Sequence, residues 1–239
     1  MDYSLKYSII TEGEISNYTE LLRNDLNWRD YALVLNNNFK NQSSVNIYSL
    51  ACSDLSEAYS NLISIDRFCD SPQKFKKIIC YDKDDVILDA AKKRRINLEE
   101  VEIRRLERFL GYKQDYFTDK KVRIPIFGET TAPMDSYTVS KSLCDRTEIV
   151  KSDILKALKN IVDEGNSVIS CRNVFPYLTE DYQKEFAKNL VLVLKPNSLF
   201  VRGAFDVRTL FTEILDNMSA KNNPNRYFEK VMTHVYRRI

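Results

Sequence analysis

The sequence predicts an α/β fold, in which helices cover both faces of a parallel sheet. Short apolar runs with strand character alternate with amphipathic helical stretches along most of the chain, and this alternation is typical of a parallel sheet. The strand-like runs are VNIYSLA (45–51), KKIICY (76–81), NSVIS (166–170) and SLFVRGAF (198–205). Polar residues follow several of these runs directly, as they do where a parallel sheet forms a ligand crevice.

The elements between these strands follow from the spacing of apolar residues. Helical spacing predicts a short N-terminal helical segment over residues 1–40, from EISNYTELLRNDL (14–26) and RDYALVLNNNF (29–39), and a main domain over 41–239. Three later stretches, SEAYSNLISIDRF, VILDAAKKRR and EDYQKEFAKNLVLVL, predict crossover helices. The final FEKVMTHVYRRI predicts a closing strand or hairpin.

The middle of the chain departs from this alternation. Two extended runs surround a connection that contains glycine and proline, which predicts a small β insertion at about residues 112–148. The basic run KKRR (92–95) lies in a helix-like stretch with acidic residues nearby. We interpret it as a solvated helix face, with nucleic-acid contact as the lesser alternative.

Composition limits the classes of function. The 239 residues are 44% hydrophobic and 29% charged, and a net charge of +2 predicts neither a nucleic-acid partner nor a membrane surface. No apolar run reaches the length of a membrane span and no leader pattern stands at the N-terminus, so we expect no membrane insertion. Five scattered cysteines suit a reducing cytoplasm, where we expect the protein to be located.

The residues that usually hold metals or attack substrates are few. The cysteines form no CxxC pair and the chain has one histidine, His234, which argues against a zinc site and against a Ser-His or Cys-His nucleophile. We therefore expect no metal. At the end of the second strand, Asp82 stands where a nucleoside cofactor needs an acceptor for its ribose hydroxyls. Alternatively, Asp82 and Asp84 cap the next helix.

Several motifs resemble the CheR family of S-adenosylmethionine-dependent methyltransferases, which esterify chemoreceptor glutamates. CRNVFPYLTEDYQKEFAKNLVLVLKPNSLFV (171–201) is the most specific part of the resemblance, and NIYSLACSDLSEAYS (46–60) resembles the family's first motif. CYDKDDVILDAAKK (80–93) and NWRDY (27–31) resemble two further motifs, and the closing VYRR is also similar. The resemblance covers roughly residues 20–239.

The resemblance implies a Rossmann-like, seven-stranded methyltransferase sheet with an antiparallel edge, and an enzyme that transfers a methyl group to a protein glutamate carboxylate. The cofactor would be S-adenosylmethionine, with S-adenosylhomocysteine as product, and the partner a protein such as a chemoreceptor. The implied catalytic residues are Arg29, which would orient the acceptor beside the methyl group, and Tyr177 at the transfer site. The implied cofactor-binding residues are Ala51, Glu57 (methionine amino group), Asp82 (ribose), Asp153 and Ile154 (adenine), and Arg172 and Asn173 (floor).

The chain also departs from the family pattern. Ala51 and Leu55 replace glycines of the first motif, which let backbone approach the cofactor's methionine end. RGAF (202–205) stands where the family has Gly-His-Ser-Glu, Arg23-Asn24-Asp25 where it has Asn-x-Thr, and the N-terminal domain is short. Two hypotheses follow: an active carboxyl methyltransferase with an altered first motif, or a catalytically degenerate member that serves as a binding or scaffolding protein.

Overall fold

A computed structural model describes residues 20–121 and 135–239. Its strands are β1 Asn46–Leu50, β2 Ile78–Asp82, β3 Arg95–Leu98, β4 Phe117–Lys121, β5 Asp135–Val139, β6 Thr147–Lys151, β7 Ser167–Cys171, β8 Leu199–Arg202, β9 Phe228–Met232 and β10 Val235–Arg238. Its helices are α1 Trp28–Asn38, α2 Ser56–Phe68, α3 Asp85–Lys92, α4 Glu100–Leu110, α5 Lys141–Cys144, α6 Ile154–Asn160, α7 Glu180–Val193 and α8 Leu210–Ser219.

Seven strands form the main sheet in the order β6-β2-β1-β7-β8-β10-β9. The first five of these are parallel, and β10 and β9 form an antiparallel hairpin at the edge. The predicted α/β class, the seven-stranded sheet and the closing hairpin are confirmed. The chain runs outward from β1 through β2 to β6 and then returns to β7 on the other side of β1, so the order of strands reverses between β1 and β7.

The sheet carries helices on both faces because successive buried strand residues point to opposite sides. Ile47 and Val168 lie in an apolar cluster with α1 and α2, whereas Tyr48 and Ile169 lie in a second cluster with α6, α7 and α8. The second cluster contains a stack of phenylalanine rings, of which Phe175 and Phe211 are parallel at 3.8 Å between centroids. The two clusters hold the central strands, and therefore their carboxyl ends, in fixed positions.

A second, antiparallel sheet in the order β3-β5-β4 forms the insertion. It differs from the bounds predicted at 112–148 in two ways: β3 joins it from residue 95, and Thr147 already belongs to the main sheet as the start of β6. Residues 122–134 of the predicted insertion lie outside the described residues. KKRR is not one helix face, because α3 ends at Lys92 and the Arg95 guanidinium donates to Ser136 and Thr138 across the small sheet.

The chain before α1 also differs from its prediction. The predicted helix 14–26 is not helical over residues 20–26, which form turns, and residues 14–19 lie outside the described part of the chain. The predicted helix near 29–39 is confirmed as α1, and Asn27 accepts a bond from the Asp30 N–H as its N-cap. No helix in the described ranges is long and apolar enough to span a membrane.

Candidate functional site

The carboxyl ends of β1 and β7 meet at the point where the strand order reverses, which is where open α/β sheets bind ligands. Residues 51–55 follow β1 and are called the β1 loop. Residues 172–177 follow β7 and are called the β7 loop. Asp82 ends the neighbouring strand β2, and its backbone carbonyl accepts a bond from the Ser152 N–H after β6. The predicted cofactor residues therefore lie along one edge of the sheet.

A network of charges forms the floor of this crevice. The Arg172 guanidinium donates to Glu57 at 3.3 Å and, at shorter range, to Asp25, and Glu57 also accepts a bond from the Ser170 hydroxyl. The Arg172 side chain is only 3% exposed and lies 5.1 Å from the Trp28 ring centroid, within cation–π range. Burial alone would lower the pKa of Arg172, but the two carboxylates raise it, so this cation stays charged.

Asp25 comes to the floor from the polypeptide before α1, residues 20–27, which we call the cover segment. Besides Arg172, the carboxylate accepts a bond from the Asn173 side-chain amide at 3.2 Å. Burial raises the pKa of Asp25, but Arg172, Asn173 and Arg23 outweigh it, and the net pKa lies below its usual value. Asp25 is therefore ionised at neutral pH, and it occupies part of the hydrogen-bonding capacity of the predicted floor residues.

The β7 loop is held by Asp206, which follows β8. The buried Asp206 carboxylate accepts bonds from the backbone N–H groups of Asn173 at 2.8 Å, Phe175 at 3.1 Å and Gly203 at 2.8 Å. Asn173 adopts φ 60°, a left-handed conformation that asparagine tolerates better than most residues. A Cβ atom on Gly203 would lie 2.1 Å from the Asn173 side-chain oxygen, so this position requires glycine.

The β1 loop keeps a glycine-like path without glycine. Ala51, Ser53 and Leu55 have φ of 55°, 47° and 69°, a region that costs residues with a Cβ about 1–2 kcal/mol each. The side chain of Leu55, which replaces a glycine of the family's first motif, is 1% exposed and packs in the apolar cluster with α1 and α2 rather than in the crevice. The loop thus retains the conformation that the two glycines would favour, at the cost of backbone strain.

Asp82 supports the β1 loop directly. One of its carboxylate oxygens accepts a bond from the Ser53 N–H at 2.9 Å, and the other accepts from the Asp84 N–H at 3.1 Å. Each oxygen keeps a second lone pair for a ligand hydroxyl, so the ribose role stays a prediction. Asp82 itself does not cap α3, which begins at Asp85.

The two residues predicted to flank the adenine follow β6. Asp153 is the N-cap of α6, where it accepts bonds from the Leu155 and Lys156 N–H groups, and the Tyr182 hydroxyl donates to it. Ile154 is buried in the second apolar cluster, 7% exposed. Both residues lie near Asp82, at the edge of the sheet where the adenine is predicted to bind. The Asp153 carboxylate, however, already has structural partners.

The predicted catalytic pair is not brought together. Arg29 is exposed and its guanidinium lies 5.8 Å from the ring centroid of Phe68, at the far end of α2 from Glu57. Eleven residues separate Phe68 from Glu57 on this helix, a distance of roughly 17 Å at 1.5 Å per residue. Trp28, with its apolar ring, takes the inward position instead. Tyr177 is 51% exposed beside the crevice.

Sequence reasoning missed four residues of the site: Asp25, Trp28, Ser170 and Asp206. Asp25 carried a signal, because an acid replaces the family's threonine there. Trp28 is the only tryptophan of the chain and sits in a recognised motif. Nothing in the sequence indicates Asp206, because its partners in the β7 loop, Asn173 and Phe175, lie 33 and 31 residues earlier.

The residues of the crevice fit S-adenosylmethionine in most respects. Among the described residues, buried Tyr31 Oη, Ser53 Oγ, Ser56 Oγ and Arg172 Nε have no hydrogen-bond partner, so the region keeps unmet hydrogen-bonding capacity. Glu57 suits an ammonium and Asp82 a ribose. The carboxylate of the methionine end is the exception, because Asp25 already binds Arg172. Within the described ranges, no three His, Cys, Asp or Glu side chains gather in a way that could hold a metal ion.

Comparison with known proteins gives a family and several similar folds. The model of the CheR methyltransferase S-adenosylmethionine-binding domain matches residues 17–222. Among solved structures, a precorrin-6y C5,15-methyltransferase from Geobacter metallireducens GS-15 is 11% identical, with 82% of this chain and 74% of that chain covered and a TM-score of 0.40. A methyltransferase from Geobacter sulfurreducens is 13% identical, with 88% and 80% covered and a TM-score of 0.42. TM-scores this low carry no functional weight.

Proposed function

We propose that this chain, which belongs to the CheR methyltransferase family, transfers methyl groups from S-adenosylmethionine to a carboxylate on another protein. The observation that carries the proposal is the convergence of Glu57, Arg172 and Asn173 at the switch point between β1 and β7. A glutamate of a chemoreceptor is the acceptor that the family resemblance implies. The assignment of a protein carboxylate as the methyl acceptor rests on the chemistry of the crevice and of the rim beside Tyr177.

The residues of the crevice have distinct tasks in this proposal. Glu57 would hold the ammonium of the methionine end and Asp82 the ribose hydroxyls, and Asp153 and Ile154 would flank the adenine. Arg172 and Asn173 would form the polar floor below them. The cofactor, when bound, supplies a methyl group on a sulfonium, whose in-line displacement depends mainly on orientation of the acceptor.

A carboxylate is the acceptor that suits this crevice. A glutamate side chain is ionised at neutral pH, so no general base has to remove a proton from it. An amine or an alcohol would need such a base. The described floor offers carboxylates and a guanidinium that are engaged with one another, so they serve to position ligands.

The rim beside Tyr177 offers a place for a protein acceptor. A cleft of about 330 Å³ lies between the β7 loop and the start of α8, with Pro176, Phe205 and Arg208 among its lining residues. Tyr177, Phe205 and Val207 are about half exposed or more, and Arg208 is exposed. An arginine with aromatic neighbours can grip a carboxylate in a bidentate fork while apolar side chains pack beside it.

The test is a methyl-transfer assay with methyl-tritiated S-adenosylmethionine and candidate acceptors, among them the cytoplasmic part of a chemoreceptor. We expect a product that releases volatile methanol in mild alkali, as a carboxyl ester does. Glu57→Gln should abolish binding of S-adenosylhomocysteine. Arg208→Ala should raise KM for the acceptor about tenfold and leave cofactor affinity unchanged, whereas Arg104→Ala, at an exposed arginine of α4, should change neither.

An alkali-stable product would refute the carboxylate acceptor but would still be the product of a methyltransferase. Absence of any product, together with absence of cofactor binding, would favour the second candidate, a catalytically degenerate member that binds or scaffolds other proteins. Two observations favour that candidate: the strained β1 loop and the contact between Asp25 and Arg172. Calorimetric titration of S-adenosylhomocysteine separates the two candidates, since only the enzyme has to bind it.

A further inference from the structure

The Arg172 guanidinium is shared by two carboxylates of the chain itself, Glu57 and Asp25. We propose that Asp25 is an internal competitor for the carboxylate end of the cofactor, so that the crevice binds S-adenosylmethionine and S-adenosylhomocysteine more weakly than adenosyl ligands that end in an amine without a carboxylate. This inference rests on the proposed function, because it takes the crevice to be the cofactor site. It adds Asp25 as the residue that discriminates between ligands with and without a carboxylate beside the amine.

The geometry places Asp25 where a ligand carboxylate would be. An ammonium bound by Glu57 belongs to the same carbon atom that bears the carboxylate of the methionine end. Glu57 and Asp25 bind two nitrogens of one guanidinium. The ligand carboxylate would therefore lie roughly 6 Å from Asp25, where two like charges at an effective dielectric constant near 20 oppose binding by about a hundredfold.

Asp25 is held in this position by the rest of the cover segment. The Leu22 N–H donates to the Ser60 hydroxyl at 2.8 Å, and the Leu21 N–H donates to the buried Glu102 carboxylate at 2.8 Å. The Trp28 indole donates to the Arg23 carbonyl at 3.0 Å. These bonds tie the backbone of the cover segment to α2 and α4. Asp25 can therefore leave Arg172 and Asn173 only by a change of its own side-chain rotamer.

The site still lacks partners for some of its polar atoms. Arg172 Nε is buried and, among the described residues, has no hydrogen-bond partner, and the buried Tyr31 hydroxyl nearby also has none. With Asp25 in place, two carboxylates of the chain already share the Arg172 guanidinium, so this cation attracts a ligand carboxylate less than an unshared guanidinium would.

The experiment is a calorimetric titration with two ligands that differ only in the carboxylate: S-adenosylhomocysteine and its decarboxylated analogue. The wild-type protein should bind the decarboxylated compound at least tenfold more tightly. Asp25→Asn should bind S-adenosylhomocysteine at least tenfold more tightly than wild type and reduce the preference to threefold or less. Asp30→Asn, the same substitution at an exposed position of α1, should retain the wild-type preference.

Equal wild-type affinity for the two ligands would overturn the inference and leave the proposed function standing, and so would an Asp25→Asn variant whose affinities match wild type. Failure of both ligands to bind any folded variant would overturn the inference and the proposed function together. The comparison of the two ligands on the unaltered protein requires no variant, so it decides even if Asp25→Asn does not fold.

Discussion

The β1 loop and the β7 loop lie at the same edge of the sheet and serve the same crevice, but they are stabilised differently. In the β7 loop the residue with positive φ is Asn173, and three backbone N–H groups in and beside the loop donate to Asp206. In the β1 loop the residues with positive φ are alanine, serine and leucine. The first arrangement uses residues suited to their conformation, and the second holds its conformation against local preference.

The difference shows that loss of a motif's glycines does not by itself change the path of a loop. The Cys52 and Ser53 N–H groups donate to the end of β2, and the Leu55 side chain is buried. These contacts hold the backbone of the β1 loop in its path, so a strain of about 1–2 kcal/mol per residue can persist. The β7 loop, whose sequence follows the family pattern most closely, needs no such compensation.

The largest effect is expected at Gly203, which supports the β7 loop. Gly203→Ala should lower the free energy of unfolding by about 3 kcal/mol or more, because the new Cβ would lie 2.4 Å from the Asn173 backbone nitrogen. Gly111→Ala is the control: its φ is 80° but no atom lies within 4 Å, so a loss of about 1 kcal/mol is expected. Urea denaturation measures both. Equal losses would contradict the close packing of this loop.

Asp206 should make stability depend on pH between about 4 and 6. Burial raises the pKa of this carboxyl from 3.8 to about 6, although the backbone N–H donors of Asn173, Gly203 and Phe175 oppose the shift. The folded protein therefore binds more protons than the unfolded chain in this window, and stability falls as pH rises through it, by about 3 kcal/mol at 1.36 kcal/mol per pKa unit.

Unfolding free energies measured from pH 4.5 to 6.5 should show this decline, and a carbon-13 titration of the Asp206 carboxyl should locate its pKa. Asp25 does not disturb the window, since its pKa is lowered and it titrates at more acid pH. His234 opposes the decline, because burial lowers its pKa and stability therefore rises with pH through that pKa. The same measurement in a His234→Asn background removes this contribution, and a stability of that variant that rises steadily from pH 4.5 to 6.5 would contradict the burial of an ionisable group under the β7 loop.

A smaller effect, an increase in the free energy of unfolding, is expected from a substitution in the β1 loop. Ala51→Gly should raise the free energy of unfolding by about 0.5–1 kcal/mol, because glycine relieves the positive φ at the cost of some chain entropy. Asn173→Gly in the β7 loop should instead destabilise the protein, since the Asn173 side chain bonds Asp25 and the Phe205 N–H. Stabilisation by both substitutions would remove the contrast between the loops.

The smallest effect is expected at Arg29, which lies outside both loops. Arg29→Ala should change turnover and affinity for S-adenosylhomocysteine less than twofold each, because the side chain is exposed and lies over Phe68 rather than in the crevice. The role that the family resemblance implies for Arg29, orientation of the acceptor, predicts a large loss of turnover instead. Steady-state kinetics of this variant decides between the two positions.

The fold followed from the sequence because strand and helix periodicity is a local signal. The small sheet was predicted only in part, since β3 is four residues long and begins at the last residue of a basic run that has helical character. The site was harder. The Asp25–Arg172 contact joins residues 147 positions apart, and whether Trp28 or Arg29 turns inward depends on packing against the crevice. Both are properties of tertiary structure that no local pattern encodes.

In the function that we propose, the β1 and β7 loops together form one site for an adenosyl cofactor. Amide chemical shifts followed by NMR during titration with S-adenosylhomocysteine test whether both loops contact the same ligand. We predict saturable shifts that are largest at Ser53 and Leu55 in one loop and Asn173 in the other, with smaller shifts around Asp82. Shifts confined to the cleft near Arg208, or no saturable shift in either loop, would contradict the claim.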